Sequence, residues 1–236
     1  MSSISPANYP LSIIHCQLYI TPMLTIKCFP CNMLAENCYV VSDETRECVI
    51  IDCGAYYPEE GQAIVNYIKE NNLSPCHLLC THGHFDHCMG NGIIFRAFGL
   101  KPKAHQDDSF LMEKMEQQTS EILGIPIHLD VPPVDRYLTD SDTITFGSHT
   151  WQILHTPGHT PGGIVFYDAA EHIAFSGDTL FRMSIGRTDF ERGSYADMIA
   201  SLHMLATKLP SDTKIYAGHG PETTMADEIR YNPYLR

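Results

Sequence analysis

A short stretch rich in metal-binding side chains follows an apolar run in the first half of the chain. Residues Thr81–His87 read Thr-His-Gly-His-Phe-Asp-His, so three histidines and one aspartate fall within six residues. The preceding run Cys76–Cys80 reads as a buried strand, which places the cluster at a strand end, where α/β folds carry their chemistry. Imidazole and carboxylate groups together suit zinc, iron or manganese. The spacing therefore predicts a metal site.

Three further metal-binding side chains follow strands in the second half of the chain. His159 lies in a loop rich in proline and glycine, directly after the predicted strand Thr150–His155. Asp178 follows the predicted strand His172–Phe175, and His219 follows the last short strand. This repeated placement favours one shared metal centre over a polar loop that happens to contain several histidines.

Between these residues the sequence alternates strand-like and helix-like segments. Other predicted strands are Leu24–Phe29, Asn37–Ser42, Cys48–Asp52, one that begins near Thr143, Gly163–Tyr167 and Lys214–Tyr216. Predicted helices are Pro58–Asn72, Met89–Phe98, Gln106–Gln118 and Ser194–Leu209, and Thr119–Asp135 reads as irregular. Alternation of this kind predicts a layered α/β fold. The two strand groups indicate a sandwich of two related halves.

The stretch Gln106–Asp135 allows two interpretations. Its first part carries Phe110, Leu111, Met112 and Met115 at close spacing. These residues can form a helix packed on the core. They can also form a lid over the metal site, because methionine-rich surfaces adapt to varied ligands. The sequence leaves both open.

Composition narrows the choice of partner and compartment. The 236-residue chain has a formal net charge of −13, which argues against a nucleic-acid partner, since such a partner needs a basic face. Nine cysteines, several in predicted strands, suit buried free thiols in a reducing cytoplasm. The pair Cys28 and Cys31 lacks the second pair or the helix start that a zinc or redox role needs. The partly apolar run Leu11–Ile20 is too short for a membrane span. We expect 1–22 to be an appended segment and 23–236 to form one domain.

Taken together, these residues resemble the hydrolases of the metallo-β-lactamase superfamily. The His-x-His-x-Asp-His signature at 82–87 is followed, in the family's order, by the three downstream residues. The resemblance implies an αββα sandwich, two mixed sheets flanked by helices, with a two-metal site on its edge. By this match the first metal is held by His82, His84 and His159, the second by Asp86, His87 and His219, and Asp178 bridges the two.

Within that superfamily the chain is most similar to the compact glyoxalase II-like branch, the hydroxyacylglutathione hydrolase-like proteins. The similarity is carried by Gly177–Phe181, Ser184–Phe190 and Gly218–Thr224. Members of that branch hydrolyse thioesters such as S-D-lactoylglutathione. Full-length members add a C-terminal helical domain whose basic residues help to bind glutathione. Here 17 residues follow His219, so we expect that domain to be absent and glutathione specificity to be open.

The resemblance predicts hydrolysis of a small-molecule acyl thioester by hydroxide shared between two divalent metal ions. Zinc is the expected metal, with iron or manganese as alternatives, and Asp86 and Asp178 are the candidate catalytic carboxylates. One rival is a mononuclear iron persulfide dioxygenase, which would use His82, His159 and Asp178. The other is a non-enzymatic metal-binding module. The complete second ligand set disfavours both, and the oligomeric state stays open.

Four residues near these motifs also have expected roles. Asp52, at the end of its predicted strand, can cap the loop or accept a hydrogen bond from a metal-binding histidine, and the resemblance favours the second role. The following Gly54 is expected to serve a tight turn. Arg187 and Asp189 lie in one loop, where they either bind a substrate carboxylate or pair with each other, and we favour the pair.

Overall fold

The computed structural model describes residues 24–236. The predicted appended segment 1–22 lies outside the described residues. Two six-stranded sheets pack face to face, with helices on both outer sides. Within 24–236, no helix is long and apolar enough to cross a membrane.

The first sheet comes from the first half of the chain. Its strands, in spatial as well as chain order, are β1 (Thr25–Cys31), β2 (Glu36–Ser42), β3 (Glu47–Ile51), β4 (Ser74–Leu79), β5 (Pro102–His105) and β6 (Arg136–Leu138). The first three pair antiparallel, and β3 to β6 pair parallel. The carboxyl ends of the parallel strands therefore meet at one edge of the sheet.

The second sheet comes from the second half. The remaining strands are β7 (Thr143–Phe146), β8 (His149–His155), β9 (Ile164–Asp168), β10 (Ile173–Gly177), the short pair β11 (Leu180–Phe181) and β12 (Ser184–Ile185), β13 (Lys214–Ala217) and β14 (Thr223–Thr224). The sheet order is β14-β13-β10-β9-β8-β7, with β11 and β12 apart from it. Only β10 and β13 pair parallel within this sheet.

Within the described part of the chain, seven α-helices connect or follow these strands. They are α1 (Pro58–Glu70), α2 (Phe85–Cys88), α3 (Asn91–Phe98), α4 (Ser109–Glu113), α5 (Met115–Leu123), α6 (Tyr195–Lys208) and α7 (Met225–Tyr231). Local signals fix their ends. The N-cap Ser194 starts α6 by accepting a hydrogen bond from the backbone of Asp197, and Gly99 ends α3 with a left-handed φ of 74°.

Strand alternation explains why there are four layers. On β9, Ile164 and Phe166 face the core between the sheets, whereas Val165 and Tyr167 pack against α6. On the first sheet, Val40 faces the helical side in the same way. Because both faces of the central strands are buried, they read as continuous apolar runs. The predicted αββα sandwich is confirmed.

Several element predictions need correction. The strands β5 and β6, the helix α7 and the short helix α2 were not predicted. The predicted helix Gln106–Gln118 is a 3-10 turn followed by α4 and α5, and helix continues to Leu123 although Thr119–Asp135 read as irregular. The thiol prediction fits the described residues, whose eight cysteines are free, with burial raising the pKa of Cys28 to about 11.

Candidate metal centre

All seven predicted site residues come together at one edge of the sandwich. The segment after β4 carries His82 and His84, and α2 carries Asp86 and His87. The other three residues, His159, Asp178 and His219, follow β8, β10 and β13. Backbone hydrogen bonds join the halves here: Ile164 N donates to Thr81 O at 2.9 Å, and Asn37 N donates to Gly218 O at 2.8 Å. The centre is therefore built from both sheets.

The first group of candidate ligands consists of three buried imidazoles. His84 Nδ1 and His159 Nε2 lie 2.9 Å apart, and the His82 ring centroid lies 4.9 Å from each of the other two. His159 Nδ1 lies 2.7 Å from the carbonyl oxygen of Arg187. Because a carbonyl oxygen only accepts, Nδ1 carries the proton and Nε2 presents a lone pair to the centre. One nitrogen atom from each ring lies within 4.8 Å of the other two, so all three can bind the same metal ion.

The second group mixes one carboxylate with two imidazoles. Asp86 Oδ2 lies 3.3 Å from His219 Nε2 and 3.7 Å from His87 Nε2. His219 turns its Nδ1 towards the Leu34 carbonyl oxygen at 3.2 Å, and His87 turns its Nδ1 towards Asp52 Oδ2 at 3.0 Å. Each ring thus donates outward and keeps Nε2 for the centre, as metal-binding histidines do.

Asp178 lies between the two groups. Its Oδ1 is 3.4 Å from His87 Nε2, and its Oδ2 is 3.5 Å from His159 Nε2 and 3.7 Å from His219 Nε2. One carboxylate therefore reaches residues of both groups: Oδ2 lies near His159 and His219, and Oδ1 lies near His87. This is the position from which a carboxylate can bridge two metal ions.

Unpartnered buried atoms test whether a metal fits. Among residues 24–236, His82 Nε2, His87 Nε2 and Asp178 Oδ1 are buried without a hydrogen-bond partner. Buried polar atoms normally have one, so three such atoms facing the same space call for a ligand. Burial lowers the pKa of His82 well below its usual range and that of His84 to about 3, which leaves both imidazoles neutral. The residues fit divalent metal ions.

Charge around the centre favours ionised carboxylates. Burial raises the pKa of Asp178, but the neighbouring imidazoles, His87 above all, outweigh burial and lower it. The same balance, with His87 as the main attractive charge, lowers the pKa of Asp86. Both carboxylates are therefore available as metal ligands at neutral pH.

Asp52 lies where the sequence predicted a partner for a metal-binding histidine. Besides contacting His87, it accepts hydrogen bonds from Thr81 N at 2.7 Å and Thr81 Oγ1 at 2.6 Å. Its backbone is left-handed, with φ of 52°, at the end of β3. Gly54 N donates to the Asp52 carbonyl oxygen at 3.1 Å, which closes the expected tight turn. Close packing also requires glycine, because a Cβ there would lie 1.8 Å from the Asp86 carbonyl oxygen.

Glu36 was missed by the sequence analysis. It is fully buried beside the second group, with Oε1 3.9 Å from His87 Nδ1, and neither oxygen has a partner within the described chain. Burial raises its pKa well above the usual range. A single glutamate at the start of β2 gives no spacing signal from which this position follows.

A loop covers one side of the first group. Arg187 and Asp189 form a two-bonded ion pair, at 2.6 and 2.7 Å, and the Arg187 guanidinium lies 4.3 Å from the Phe190 ring centroid. The Phe190 ring in turn packs 4.8 Å from the His84 ring and 5.6 Å from the His159 ring. The pair favoured from the sequence is present.

Another cluster of possible ligands, His105, Asp107 and His155, is less suitable. The two imidazoles stack 4.2 Å apart at 19°. Ring lone pairs lie in the ring planes, so nearly parallel rings do not point them at one ion. His105 Nδ1 already accepts a hydrogen bond from Asp107 N, and His155 Nε2 lies 2.8 Å from the Pro161 carbonyl oxygen. We assign no metal there.

Comparison with known proteins gives the family. The model of the metallo-beta-lactamase superfamily matches residues 32–219, which include all seven candidate ligands. The chain belongs to the metallo-beta-lactamase superfamily. The resemblance inferred from the sequence is thereby confirmed, and the superfamily indicates a metallo-hydrolase.

Three relatives within or near the superfamily illustrate its range. The hydroxyacylglutathione hydrolase GloC of Haemophilus influenzae is 35% identical over 214 residues, covering 90% of this chain and 98% of its own. The crystal structure of BLEG-1 B3 metallo-beta-lactamase has a TM-score of 0.82 and 34% identity, covering 89% and 99% of the two chains. The crystal structure of TTHA1623 in a di-iron-bound form has a TM-score of 0.78 and 35% identity, covering 89% and 100%.

Proposed function

We propose that the protein hydrolyses small-molecule acyl thioesters, of the hydroxyacylglutathione type or a related one, at a two-metal centre. The observation that carries the proposal is the position of Asp178, which reaches His159 of the first group and His87 and His219 of the second. The relative named hydroxyacylglutathione hydrolase supports the substrate class. The metal is proposed to be zinc, with iron or manganese as alternatives.

The chain's own residues hold the centre in a fixed arrangement. His82, His84 and His159 would hold one metal, Asp86, His87 and His219 the other, and Asp178 both. Two bound divalent metals would supply a hydroxide nucleophile near neutral pH and polarise the substrate carbonyl. The hydrogen bonds from Nδ1 of His87, His159 and His219 to fixed acceptors keep each ring in one tautomer and orientation.

The leaving group explains the preference for a thioester. A thiolate departs without a proton, because the parent thiol has a pKa of about 8.5. An amide nitrogen would need an acid to protonate it. Asp86 is the carboxyl best placed for such a role, but its pKa is lowered, so it is ionised at neutral pH. The centre therefore suits thioesters better than amides.

The surroundings of the centre offer apolar contacts for an acyl group. Met33 and Leu34, in the turn before β2, are 43% and 47% exposed, and the Leu34 carbonyl oxygen contacts His219. Phe190 lies beside the first group. An acyl chain held between Met33 and Leu34 on one side and Phe190 on the other would present its carbonyl group to the metal centre.

The test measures metal content and turnover together. Purified protein is expected to hold about two metal ions per chain and to hydrolyse S-D-lactoylglutathione or another acyl thioester. Asp178→Ala should lose turnover by about 100-fold or more, because the group that holds both metals is removed. Asp212→Ala, an exposed carboxylate paired with His172, is the matched control and should keep both metal and activity.

Other outcomes separate the alternatives. Two metals per chain without turnover of any thioester would reject the substrate class while leaving the centre in place. One iron per chain, with oxygen consumed on addition of a persulfide, would replace the hydrolase by the dioxygenase. An Asp178→Ala variant as active as the Asp212→Ala control would contradict the proposed role of Asp178.

A further inference from the structure

Asp108 connects three segments beneath the first ligand group. It lies at the start of α4 and is fully buried. Its Oδ2 accepts hydrogen bonds from Gly83 N and Thr160 Oγ1, both at 2.8 Å, and its Oδ1 accepts one from Gly162 N at 2.7 Å. Both oxygens are therefore engaged, and every donor comes from another segment of the chain.

Two of the three donors are sequence neighbours of proposed metal ligands, and the third, Gly162, lies in the same loop as His159. Gly83 lies between His82 and His84, and Thr160 directly follows His159. Asp108 thus holds the two loops that carry all three residues of the first group. It contacts neither the residues of the second group nor Asp178 by any hydrogen bond of the described chain.

Gly83 is held from both of its backbone groups. While its N–H donates to Asp108, its carbonyl oxygen accepts from Gln118 Nε2 at 3.0 Å. Gln118 Nε2 also donates to the Leu111 carbonyl oxygen at 2.9 Å. The α4–α5 segment therefore holds the loop between His82 and His84 by hydrogen bonds. From the sequence, this segment could be either a lid or a helix packed on the core.

The two loops pack closely around Asp108, so that neither Gly83 nor Gly162 could carry a side chain without a shift of its neighbours. A Cβ at Gly162 would lie 2.7 Å from Asp108 Oδ1, and a Cβ at Gly83 would lie 2.8 Å from Leu111 Cβ. Glycine at both positions lets the two loops approach one carboxylate closely. A change in the carboxylate is thus transmitted to the loops.

We propose that Asp108 is a positioning residue. It sets the spacing of His82, His84 and His159 and thereby the affinity of this first ligand group for its metal ion, without contacting the metal. The proposal rests on the proposed two-metal centre but not on the identity of the substrate. Its test is metal binding, so a failure of the thioester assignment leaves it unaffected.

The main variant is Asp108→Asn. The side chain keeps its shape, but its NH₂ group must face either Gly83 N–H or Gly162 N–H, which sets donor against donor. Metal-free protein is titrated with zinc in competition with a chromophoric chelator. One of the two bound equivalents should weaken by about 10–100-fold, the usual effect of losing a partner behind a metal ligand, and the other should bind as in the unmodified protein.

A second starting variant, His219→Ala, shows which of the two bound zinc ions is weakened. In His219→Ala the second group lacks a ligand, so the tighter remaining equivalent belongs to the first group. Adding Asp108→Asn to that background should weaken this remaining equivalent by the same factor. No change there, or equal weakening of both equivalents in the single variant, would overturn the proposal.

Two further variants guard against a folding artefact. Asp43→Asn is the matched control, since this buried carboxylate accepts from Thr45 N at 3.0 Å and Ser148 N at 2.7 Å in turns that carry no proposed ligand. It should lower stability to urea and keep both zinc affinities. Thr160→Val removes one donor to Asp108 and should weaken the first equivalent less than Asp108→Asn does. If Asp108→Asn fails to fold, unchanged zinc binding in Thr160→Val would overturn the proposal.

Discussion

The hydrogen bond between Asp52 and His87 has a counterpart on the surface. Asp52 Oδ2 lies 3.0 Å from His87 Nδ1 in a buried environment, and Asp212 Oδ1 lies 3.0 Å from His172 Nδ1 in an exposed one. The distance is the same, but Asp52 also accepts a hydrogen bond from Thr81 N through its other oxygen, Oδ1. Of these two carboxylates, only the buried one is placed to orient the ring of a proposed metal ligand.

Asp52→Asn should therefore weaken the second metal equivalent. The amide would set an NH₂ group against either Thr81 N–H or the Nδ1–H of His87, and we expect a loss of about 10–100-fold in zinc affinity. Competition with a chelator measures it. Asp212→Asn is the control and should bind both equivalents normally; a similar loss in both variants would contradict the role given to Asp52.

At the scale of elements, the candidate ligands were predictable because histidine and aspartate recur along the chain after strand ends. His82, His84, Asp86 and His87 share one short stretch, and each downstream ligand follows a strand end. Asp108 and Glu36 are single carboxylates with no spacing partner, and only the folded chain shows what surrounds them. The sequence contains no signal for either residue.

The missed elements have a similar cause. The strands β5 and β6 are four and three residues long, and their parallel pairing is defined by distant neighbours. Residues Thr119–Leu123 continue α5, in which the buried Thr119 Oγ1 donates to the Met115 carbonyl oxygen at 2.6 Å, until Gly124 ends the helix with φ of 69°. Long, periodic elements such as α1 and α6 were predicted to within a few residues.

The end of α3 gives a prediction at this scale. Gly99 has φ of 74°, and a Cβ there would meet nothing within 4 Å, so any cost of Gly99→Ala comes from the backbone alone. We expect the free energy of unfolding to fall by about 1 kcal/mol in urea titration. Gly99→Asn should lose less, because asparagine tolerates the left-handed region. Equal losses would show that the cap does not depend on backbone conformation.

At the scale of the whole molecule, metal binding should add to stability. A ligand that binds only the folded chain adds about 2.7 kcal/mol when its concentration is 100 times the dissociation constant. Removal of metal by a chelator should therefore lower the urea midpoint. The single tryptophan, Trp151, is fully buried between the sheets and reports unfolding by fluorescence.

Asp178→Ala supplies the control for this experiment. Because that variant is expected to hold less metal, the chelator should shift its midpoint by a smaller amount. A chelator that leaves the midpoint of the unmodified protein unchanged would contradict a stabilising metal centre.

The division of the proposed ligands between the two sheets also has a consequence in time. Neither half of the chain holds a complete group, because His82–His87 follow β4 of the first sheet and His159, Asp178 and His219 follow strands of the second. A chain under synthesis closes the first group only after residue 159 has been added, and the second only after residue 219. Metal loading of a complete proposed group would therefore follow the docking of the two halves, and a bound metal would mark a chain whose halves have already met.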